Sequence, residues 1–423
     1  MTQSRRVPRP RHRALMLAGL LTASTACENP PATHPLETPA PPGSQLPGLT
    51  TDTRGRPVLS WVEATDDGHR LMYAVRGDAG WQAAVKAAEG AGWFVNWADV
   101  PSVQPVGEDL WAAHWLVKQP GGAYSYDINF TLSRDGGRTW DSPFTPHRDQ
   151  TPTEHGFVSL WPARLADGHI GVGAVWLDGR HTLIDPSRAD GEDQRMTLRS
   201  AVFDAGGREV AAAEVDDRVC DCCPTDVAVT GAGPLVAYRD RSDQEVRDIH
   251  LARATPSGWR ALGPAAEDGW VIRGCPVNGP AVAVDGDDVV VAWYTEAAGQ
   301  RRVRMSRRGA ADAGPGEAID IDREDVLGRV DVAVLPGGAA VVSWLGAVDG
   351  GGASLLLARV DANGTVGAPL PVAEVEASRP TGFPRIVRHG DGVLVAWTQW
   401  RDGVSRVVTA WIPAADFPGA TAG

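Results

Sequence analysis

The segment VVVAWYT at residues 289–295 is the clearest indication of the fold, because six other parts of the chain repeat its pattern of a short apolar strand that reaches an aromatic residue. The seven segments are PVLSWVE (57–63), LWAAHWLV (110–117), IGVGAVWLD (170–178), PLVAYRD (234–240), VVVAWYT (289–295), AVVSWLG (340–346) and VLVAWTQ (393–399). Their aromatic residues lie 51 to 62 positions apart. A period of this size in β-rich segments is typical of β-propeller blades. We therefore predict an all-β propeller of seven blades, or of six if the segment at Trp61 completes the last blade.

The composition agrees with a single large propeller and argues against nucleic acid as a partner. The chain has 49 Gly and 32 Pro for the many turns, and 43% apolar residues with 16 Trp for the core. Its formal charge is −13. A surface of that sign repels nucleic acid and anionic lipid headgroups. We expect a monomer that binds a small molecule and no nucleic acid.

The first 27 residues have the parts of an export signal: arginines, the apolar run ALMLAGLL at 14–21, and small residues before Cys27. The ending ASTAC resembles a bacterial lipobox, in which the cysteine is acylated, although Ser24 stands where Leu is usual. Lipidation at Cys27 and plain secretion are both open. We expect a periplasmic or outer-surface protein that touches the membrane through its lipid anchor only. The predicted boundaries are 1–27 signal peptide, 28–48 Pro-rich linker, 49–413 propeller and 414–423 tail.

One predicted blade carries the sequence SRDGGRTW at residues 133–140. In such a turn Asp135 can accept bonds from backbone amides, Gly136 and Gly137 can adopt positive φ, and Trp140 can pack between strands. The segment resembles the Asp box, S-x-D-x-G-x-x-W, of bacterial sialidases and other BNR-repeat propellers. Its matching positions are Ser133, Asp135, Gly137 and Trp140. The resemblance implies a hairpin between the third and fourth strands of a blade, on the face away from the usual site.

The same resemblance implies an activity that needs separate residues. A sialidase holds the substrate carboxylate with three arginines, one of them in an R-I-P motif, and attacks with a tyrosine that a glutamate activates. This sequence has no R-I-P motif and only five tyrosines. Tyr294 and Glu296 are the candidates for the nucleophile and its base. An exo-sialidase-type glycoside hydrolase is therefore one alternative function.

Several unusual sequences fall in the predicted inter-blade loops, which lead from one blade into the innermost strand of the next. These loops share a face with the loops between second and third strands, and binding residues concentrate on such loops. The inter-blade sequences are TEHGFVSLWP (153–162), RVCDCCPTDVAV (218–229), RGCPVNGPAVAV (273–284), LGRVDVAV (327–334) and RPTGFPRIV (379–387). The predicted ligand-binding residues are Arg239, Asp240, Arg329, Asp331, Arg385, Arg401, His155 and Asn278. Arginines clustered at one rim would attract a carboxylate or sulfate, so we predict a small anionic or glycan ligand.

Four cysteines besides Cys27 fall in the inter-blade loops of consecutive blades: Cys220, Cys222, Cys223 and Cys275. The spacing therefore predicts that they meet at the mouth of the channel. An even number of cysteines in an exported protein favours two disulfides. The alternatives are a thiolate site for Cu or Zn, as in a periplasmic soft-metal binding protein, and a reactive free thiol.

Overall fold

The protein is a seven-bladed β-propeller in a computed structural model that describes residues 34–183 and 194–419. The leader with Cys27 and residues 420–423 of the predicted 414–423 tail lie outside the described residues. Seven antiparallel sheets follow one another around a central channel, so the prediction of seven blades is confirmed and six is excluded. Within the described residues, no helix is long and apolar enough to cross a bilayer.

The blades follow in chain order, each beginning with its innermost strand. Blade 1 contains β2 (Gln45–Thr51), β3 (Pro57–Thr65), β4 (Gly68–Gly77), β5 (Gly80–Trp81) and β6 (Val85–Gly90). Blade 2 contains β7 (Ser102–Pro105), β8 (Trp111–Lys118) and β9 (Tyr126–Ser133). Blade 3 contains β10 (His155–Arg164), β11 (Ile170–His181), β12 (Arg195–Phe203) and β13 (Glu209–Val219). Blade 4 contains β14 (Asp226–Thr230), β15 (Gly233–Arg239), β16 (Ile249–Thr255) and β17 (Gly258–Pro264).

The remaining three blades complete the ring. Blade 5 contains β18 (Ala281–Asp285), β19 (Asp288–Thr295), β20 (Arg302–Gly309) and β21 (Ala318–Asp322). Blade 6 contains β22 (Val326–Val334), β23 (Ala340–Ala347), β24 (Gly352–Val360) and β25 (Leu370–Glu376). Blade 7 contains β26 (Arg385–His389), β27 (Gly392–Arg401) and β28 (Val404–Pro413), with β1 (His34–Leu36) as its outermost strand. The described helical segments are three 3-10 turns, Ala297–Gly299, Arg379–Thr381 and Ala414–Asp416.

The repeated aromatic residues occupy the second strand of every blade, as the sequence predicts. They are Trp61, Trp115, Trp176, Tyr238, Trp293, Trp344 and Trp397. Trp344 is fully buried and packs with residues of blades 5 and 6, including Val290 and Val360. Because each sheet is covered on both faces by its neighbours, its second strand is apolar on both sides. The core of the molecule therefore lies between the blades.

The ring closes through a strand that the sequence analysis missed. His34–Leu36 pairs antiparallel with β28, and β2 already begins at Gln45. The predicted linker 28–48 therefore contains two pieces of the propeller, which corrects the predicted boundary at residue 49. Proline is tolerated on an edge strand because one side of that strand needs no ladder hydrogen bond. For that reason, amino-acid composition alone does not distinguish a short edge strand that contains proline from a Pro-rich linker.

Aspartates at the innermost strands connect neighbouring blades. The carboxylate of Asp226 accepts a hydrogen bond from the amide of Val282 in the next blade, at 2.7 Å. Asp331, a predicted ligand residue, accepts one from the amide of Ile386 at 2.8 Å. Each bond satisfies an amide that faces the channel and lacks a sheet partner on that side. Asp331 thus supports the ring whatever else it binds.

The segment that resembles an Asp box forms a turn after the third strand of blade 2. However, the described blade has three strands, and in place of the implied fourth strand there is an isolated bridge between Phe130 and Phe144. Ser133 donates to Asp135 at 2.8 Å, and Asp135 accepts from the Thr139 amide at 2.9 Å. The Thr139 hydroxyl, which donates to Asp135 at 2.6 Å, and the Thr139 amide lower the pKa of Asp135 to about 2. Gly137 has φ +86°, and Trp140 packs edge-on against Tyr73 at 6.0 Å between ring centroids. The turn lies on the face opposite the inter-blade loops, so its role is in folding.

We expect Trp140→Ala to destabilise the protein without changing what it binds. A buried Phe or Trp replaced by Ala costs about 3–5 kcal/mol, and Trp140 is only half-buried, so about 2 kcal/mol is expected. Urea denaturation measures the loss. A variant that unfolds like the wild type and yet loses ligand would place the turn at the binding site and contradict this assignment.

Candidate functional site

The four cysteines come together on the upper face, which carries the inter-blade loops and the loops between second and third strands. The sulfur atoms of Cys220, Cys222 and Cys223 all lie within 4.8 Å of one another, and those of Cys220 and Cys223 are 3.5 Å apart. The thiol of Cys275, from the next inter-blade loop, interacts with that of Cys222. All four are free thiols. Cys220 and Cys275 are 55 positions apart in the sequence, and the propeller fold brings their loops together.

Two buried arginines border the cysteine cluster. Arg247 donates a hydrogen bond to the sulfur of Cys220 at 3.3 Å, and its exposed fraction is 3%. Arg239 is close enough for its positive charge to act on Cys220 and Cys223. Hydrogen bonds from the thiols of Cys222 and Cys223, together with both guanidinium charges, lower the pKa of Cys220. The cluster therefore favours a negatively charged sulfur.

Arg239 is buried between blades 4 and 5 and its donors point at backbone carbonyls. Its guanidinium donates to the carbonyl oxygens of Asn278, Tyr294 and Arg247 at 2.6 to 3.0 Å. It also lies over the ring of Trp270 at 4.8 Å. With 2% exposure, it forms an inter-blade tie. We predicted that Arg239 projects into a ligand pocket, and the structure instead places it between two blades.

The other predicted arginines do not share one cavity. Arg329 lies over Trp97 at 4.6 Å and donates to the carbonyl of Ser378 at 2.9 Å. Burial, and then the charge of Arg379, lowers its pKa to about 10. Arg385 lines the central channel together with Asp331, and Arg401 is exposed at the end of β27. The described channel lining includes none of Arg239, Arg329 or Arg401.

Two further predicted residues have structural partners. The side-chain carbonyl of Asn278 accepts the Arg329 amide at 2.7 Å, which fixes one inter-blade loop against the next. Asp240 lies in the loop after β15, where burial and the charge of Asp216 raise its pKa to about 7. Its ligand role stays a prediction.

His155 belongs to a buried cluster whose other members the sequence analysis missed. Its ring stacks on that of His147 with centroids 3.8 Å apart and planes 3° from parallel. Asp149 bonds both rings, at 3.2 and 3.1 Å, and Asp127 faces their other nitrogens at 3.6 and 3.8 Å. The atoms are spaced for a metal ion. However, parallel rings do not direct their in-plane lone pairs at one point, so we assign the cluster to holding this loop.

An open cleft lies on the upper face beside the cysteines. Its volume is about 480 Å³, within the range of small-molecule sites. Blades 2, 3 and 4 contribute the lining side chains that matter most, Tyr124, Glu154, Asp221 and Arg241. Tyr124 is 65% exposed. Arg241 contacts Asp221 at 3.3 Å and Glu245 at 2.8 Å. The cleft therefore combines an exposed aromatic ring with oriented charged groups.

Glu154 is the cleft residue with the most unusual acid chemistry. Burial raises its pKa to about 7, against the effect of a hydrogen bond from the Tyr126 hydroxyl at 2.6 Å. The same hydroxyl lies 3.3 Å from Asp99. A carboxyl group that stays partly protonated near neutral pH can donate a proton or a hydrogen bond to a ligand. Sequence analysis missed Glu154, although it directly precedes the predicted His155.

Tyr294 and Glu296 form only a weak pair. The Tyr294 hydroxyl is 3.4 Å from the carboxylate of Glu296, which also contacts Arg301 at 3.3 Å. Tyr294 is 6% exposed, and burial, followed by the charge of Glu296, raises its pKa to about 12. A buried tyrosine with a raised pKa is less nucleophilic than a free one.

The fold is that of a seven-bladed β-propeller. No family model matches this sequence, and no curated protein matches it. A Dyadobacter fermentans protein of unknown function is 14% identical, with a TM-score of 0.50, over 90% of this chain and 97% of its own. The polysaccharide lyase Uly1 is 10% identical, with a TM-score of 0.50, over 86% and 89%. A Trypanosoma rangeli sialidase in complex with the inhibitor DANA is 10% identical, with a TM-score of 0.45, over 80% and 57%. The first two likenesses describe the fold alone.

Proposed function

We propose that this chain is an exported, lipid-anchored propeller that binds a small glycan in the cleft between blades 2, 3 and 4. The observation that carries the proposal is the exposed ring of Tyr124 in a cleft with Glu154, Asp221 and Arg241. An exposed aromatic ring offers a flat apolar surface to the C–H face of a sugar, while carboxylate and guanidinium groups bond its hydroxyls. That the fold neighbour Uly1 is a polysaccharide lyase adds support from the shared scaffold.

The charges of the cleft favour a neutral sugar over a strongly anionic one. Arg241 is the one arginine in the described lining, and it is already paired with Asp221 and Glu245. A ligand carboxylate would have to compete with these two carboxylates for the same guanidinium. Sugar hydroxyls can instead accept from Arg241 and donate to Asp221 without displacing either.

We expect Tyr124→Ala to weaken oligosaccharide binding at least tenfold, because it removes the apolar platform. Calorimetric titration with cellotriose and with trigalacturonate separates a neutral from an acidic preference. Trp400→Ala is the matched control, since Trp400 is a partly exposed aromatic residue in blade 7, outside the cleft. The cleft would be refuted as the site if Tyr124→Ala and the wild type had equal affinity for every sugar that binds. It would also be refuted if only Trp400→Ala lost affinity.

The exo-sialidase alternative leads to a separate expectation. Because the Tyr294 hydroxyl is buried, has a raised pKa and lies 3.4 Å from Glu296, we expect no appreciable hydrolysis of a simple fluorogenic sialoside. The assay compares the wild type with Tyr294→Phe. Turnover that disappears in Tyr294→Phe, with folding intact, would establish the sialidase function against this expectation.

A further inference from the structure

We propose that Cys220, Cys222, Cys223 and Cys275 bind a single soft cation, Cu(I) or Zn(II), as a thiolate site on the upper face. This site is distinct from the glycan cleft. Three of the sulfur atoms lie within 4.8 Å of one another, and the fourth interacts with Cys222. Cysteine sulfur is the protein ligand that selects both ions.

The spacing of the sulfurs suits direct coordination. A Zn–S bond is about 2.3 Å, which places tetrahedral sulfurs about 3.8 Å apart. The sulfur atoms of Cys220 and Cys223 are 3.5 Å apart, slightly less than this value. Those of Cys220, Cys222 and Cys223 all lie within 4.8 Å of one another, slightly more than this value. Cys220 and Cys223 are also separated as C-x-x-C, the spacing of many zinc sites, within the C-x-C-C sequence. Metal binding therefore requires only small side-chain shifts.

The surrounding charges match a metal–thiolate complex. Zn(II) with four thiolates, or Cu(I) with three, has a net charge of −2. Arg239 and Arg247 are buried beside the cluster. Arg247 is also paired with Glu245 at 2.7 Å, whereas Arg239 donates to neutral carbonyls and its positive charge is left to the cluster. The hydrogen bond from Arg247 to the Cys220 sulfur resembles the outer-shell contacts that orient metal ligands. A neutral cluster of thiols would leave the charge of Arg239 less well compensated.

Access to the site is open from one side. Cys275 is exposed and Cys222 is partly exposed, whereas Cys220 and Cys223 are buried. An ion can therefore reach Cys275 and Cys222 first and then the inner pair. Each thiol that becomes a ligand releases its proton to solvent, so the affinity rises with pH.

The test is metal titration of the reduced full-length chain under anaerobic conditions. We expect one ion per chain, measured by elemental analysis after gel filtration, and charge-transfer absorbance in the ultraviolet for Cu(I). Separate titrations with Cu(I) against bathocuproine disulfonate and with Zn(II) against a chromogenic chelator determine which ion binds more tightly. Cys275→Ser, a change at an exposed position that leaves the fold intact, should weaken binding of the preferred ion at least tenfold.

The controls separate this site from other sources of metal. Cys27→Ser should leave the stoichiometry at one ion, because Cys27 belongs to the predicted anchor. Unfolded protein should lose the ion. The proposal would be overturned if the isolated chain contained two stable disulfides and the protein had no metal affinity after their reduction. So would binding that is unchanged in both Cys275→Ser and Cys222→Ser. Neither result would bear on oligosaccharide affinity, which is measured on metal-free protein.

Discussion

Replacing Arg239 with Met is expected to lower the free energy of unfolding by about 3–5 kcal/mol. The guanidinium bonds carbonyls of Asn278, Tyr294 and Arg247, and methionine leaves these buried oxygens without their donors. Arg239 is 2% exposed, so water cannot easily replace the lost hydrogen bonds. Urea denaturation of metal-free protein, followed by tryptophan fluorescence, measures the difference.

Arg401→Met is the matched control for this experiment. Arg401 was predicted as a ligand residue on the same grounds, but it is exposed at the end of β27. Its replacement should change the free energy of unfolding by less than about 0.5 kcal/mol. If Arg239→Met unfolds like the wild type while losing oligosaccharide affinity, Arg239 acts on the ligand and the inter-blade tie is unimportant.

The fold could be predicted from the sequence because its main constraint repeats. Every blade buries the aromatic residue of its second strand against a neighbouring sheet, so the pattern recurs at each of seven positions, from Trp61 to Trp397. The closing strand His34–Leu36 does not share this constraint. It is three residues long and pairs with β28. No periodicity could mark so short a segment.

The candidate site could be predicted only in part. Alignment of the repeats placed Cys220 and Cys275 in neighbouring loops, and the structure brings their cluster together. The same alignment placed Arg239 and Arg329 on the upper face, yet both donate to backbone carbonyls of other blades. The sequence shows that an arginine can donate hydrogen bonds, but it does not show which backbone carbonyls accept them. Glu154 was missed because its half-buried position depends on Tyr126 of the preceding blade.

A second large effect is expected from pH: the free energy of unfolding should fall as pH rises from about 6.5 to 9. Burial raises the pKa of four carboxyl groups, to about 8 in Asp99 and about 7 in Glu154, Asp226 and Asp240. In the unfolded chain these groups are ionised throughout this range. The native state therefore holds more protons, and the stability that they contribute is lost as pH rises through 7 to 8. Asp99 alone accounts for on the order of 2 kcal/mol.

Histidines explain why the window begins at about pH 6.5. Burial lowers the pKa of His114 to about 3, so this ring stays neutral in the native state. Below pH 6.5 the unfolded chain protonates it, which favours unfolding as pH falls and opposes the carboxyl effect. Above about pH 7.5 the contribution of His114 is constant. His155 acts in the same direction as the carboxyl groups, because, against the effect of burial, its hydrogen bond with Asp149 raises its pKa, and the stability that it contributes is lost as pH rises. The lowered pKa of Cys220 acts in the opposite sense in this range, because the native state releases that proton before the unfolded chain does. The carboxyl effect is therefore measured as the difference between wild type and Asp99→Asn in urea denaturation at pH 6.5, 7.5 and 9.

Asp99→Asn should remove a large part of this decrease, because asparagine has the shape of the protonated acid. One oxygen of Asp99 accepts the Phe157 amide at 2.8 Å, and the other lies 3.3 Å from the Tyr126 hydroxyl. An asparagine keeps the first bond and can donate to Tyr126 at the second position. The variant should match the wild type at pH 6.5 and exceed it in stability at pH 9, whereas the exposed control Asp66→Asn should follow the wild type. Parallel curves for wild type and Asp99→Asn would mean that Asp99 is ionised in the folded protein, and that the ring tolerates its buried charge.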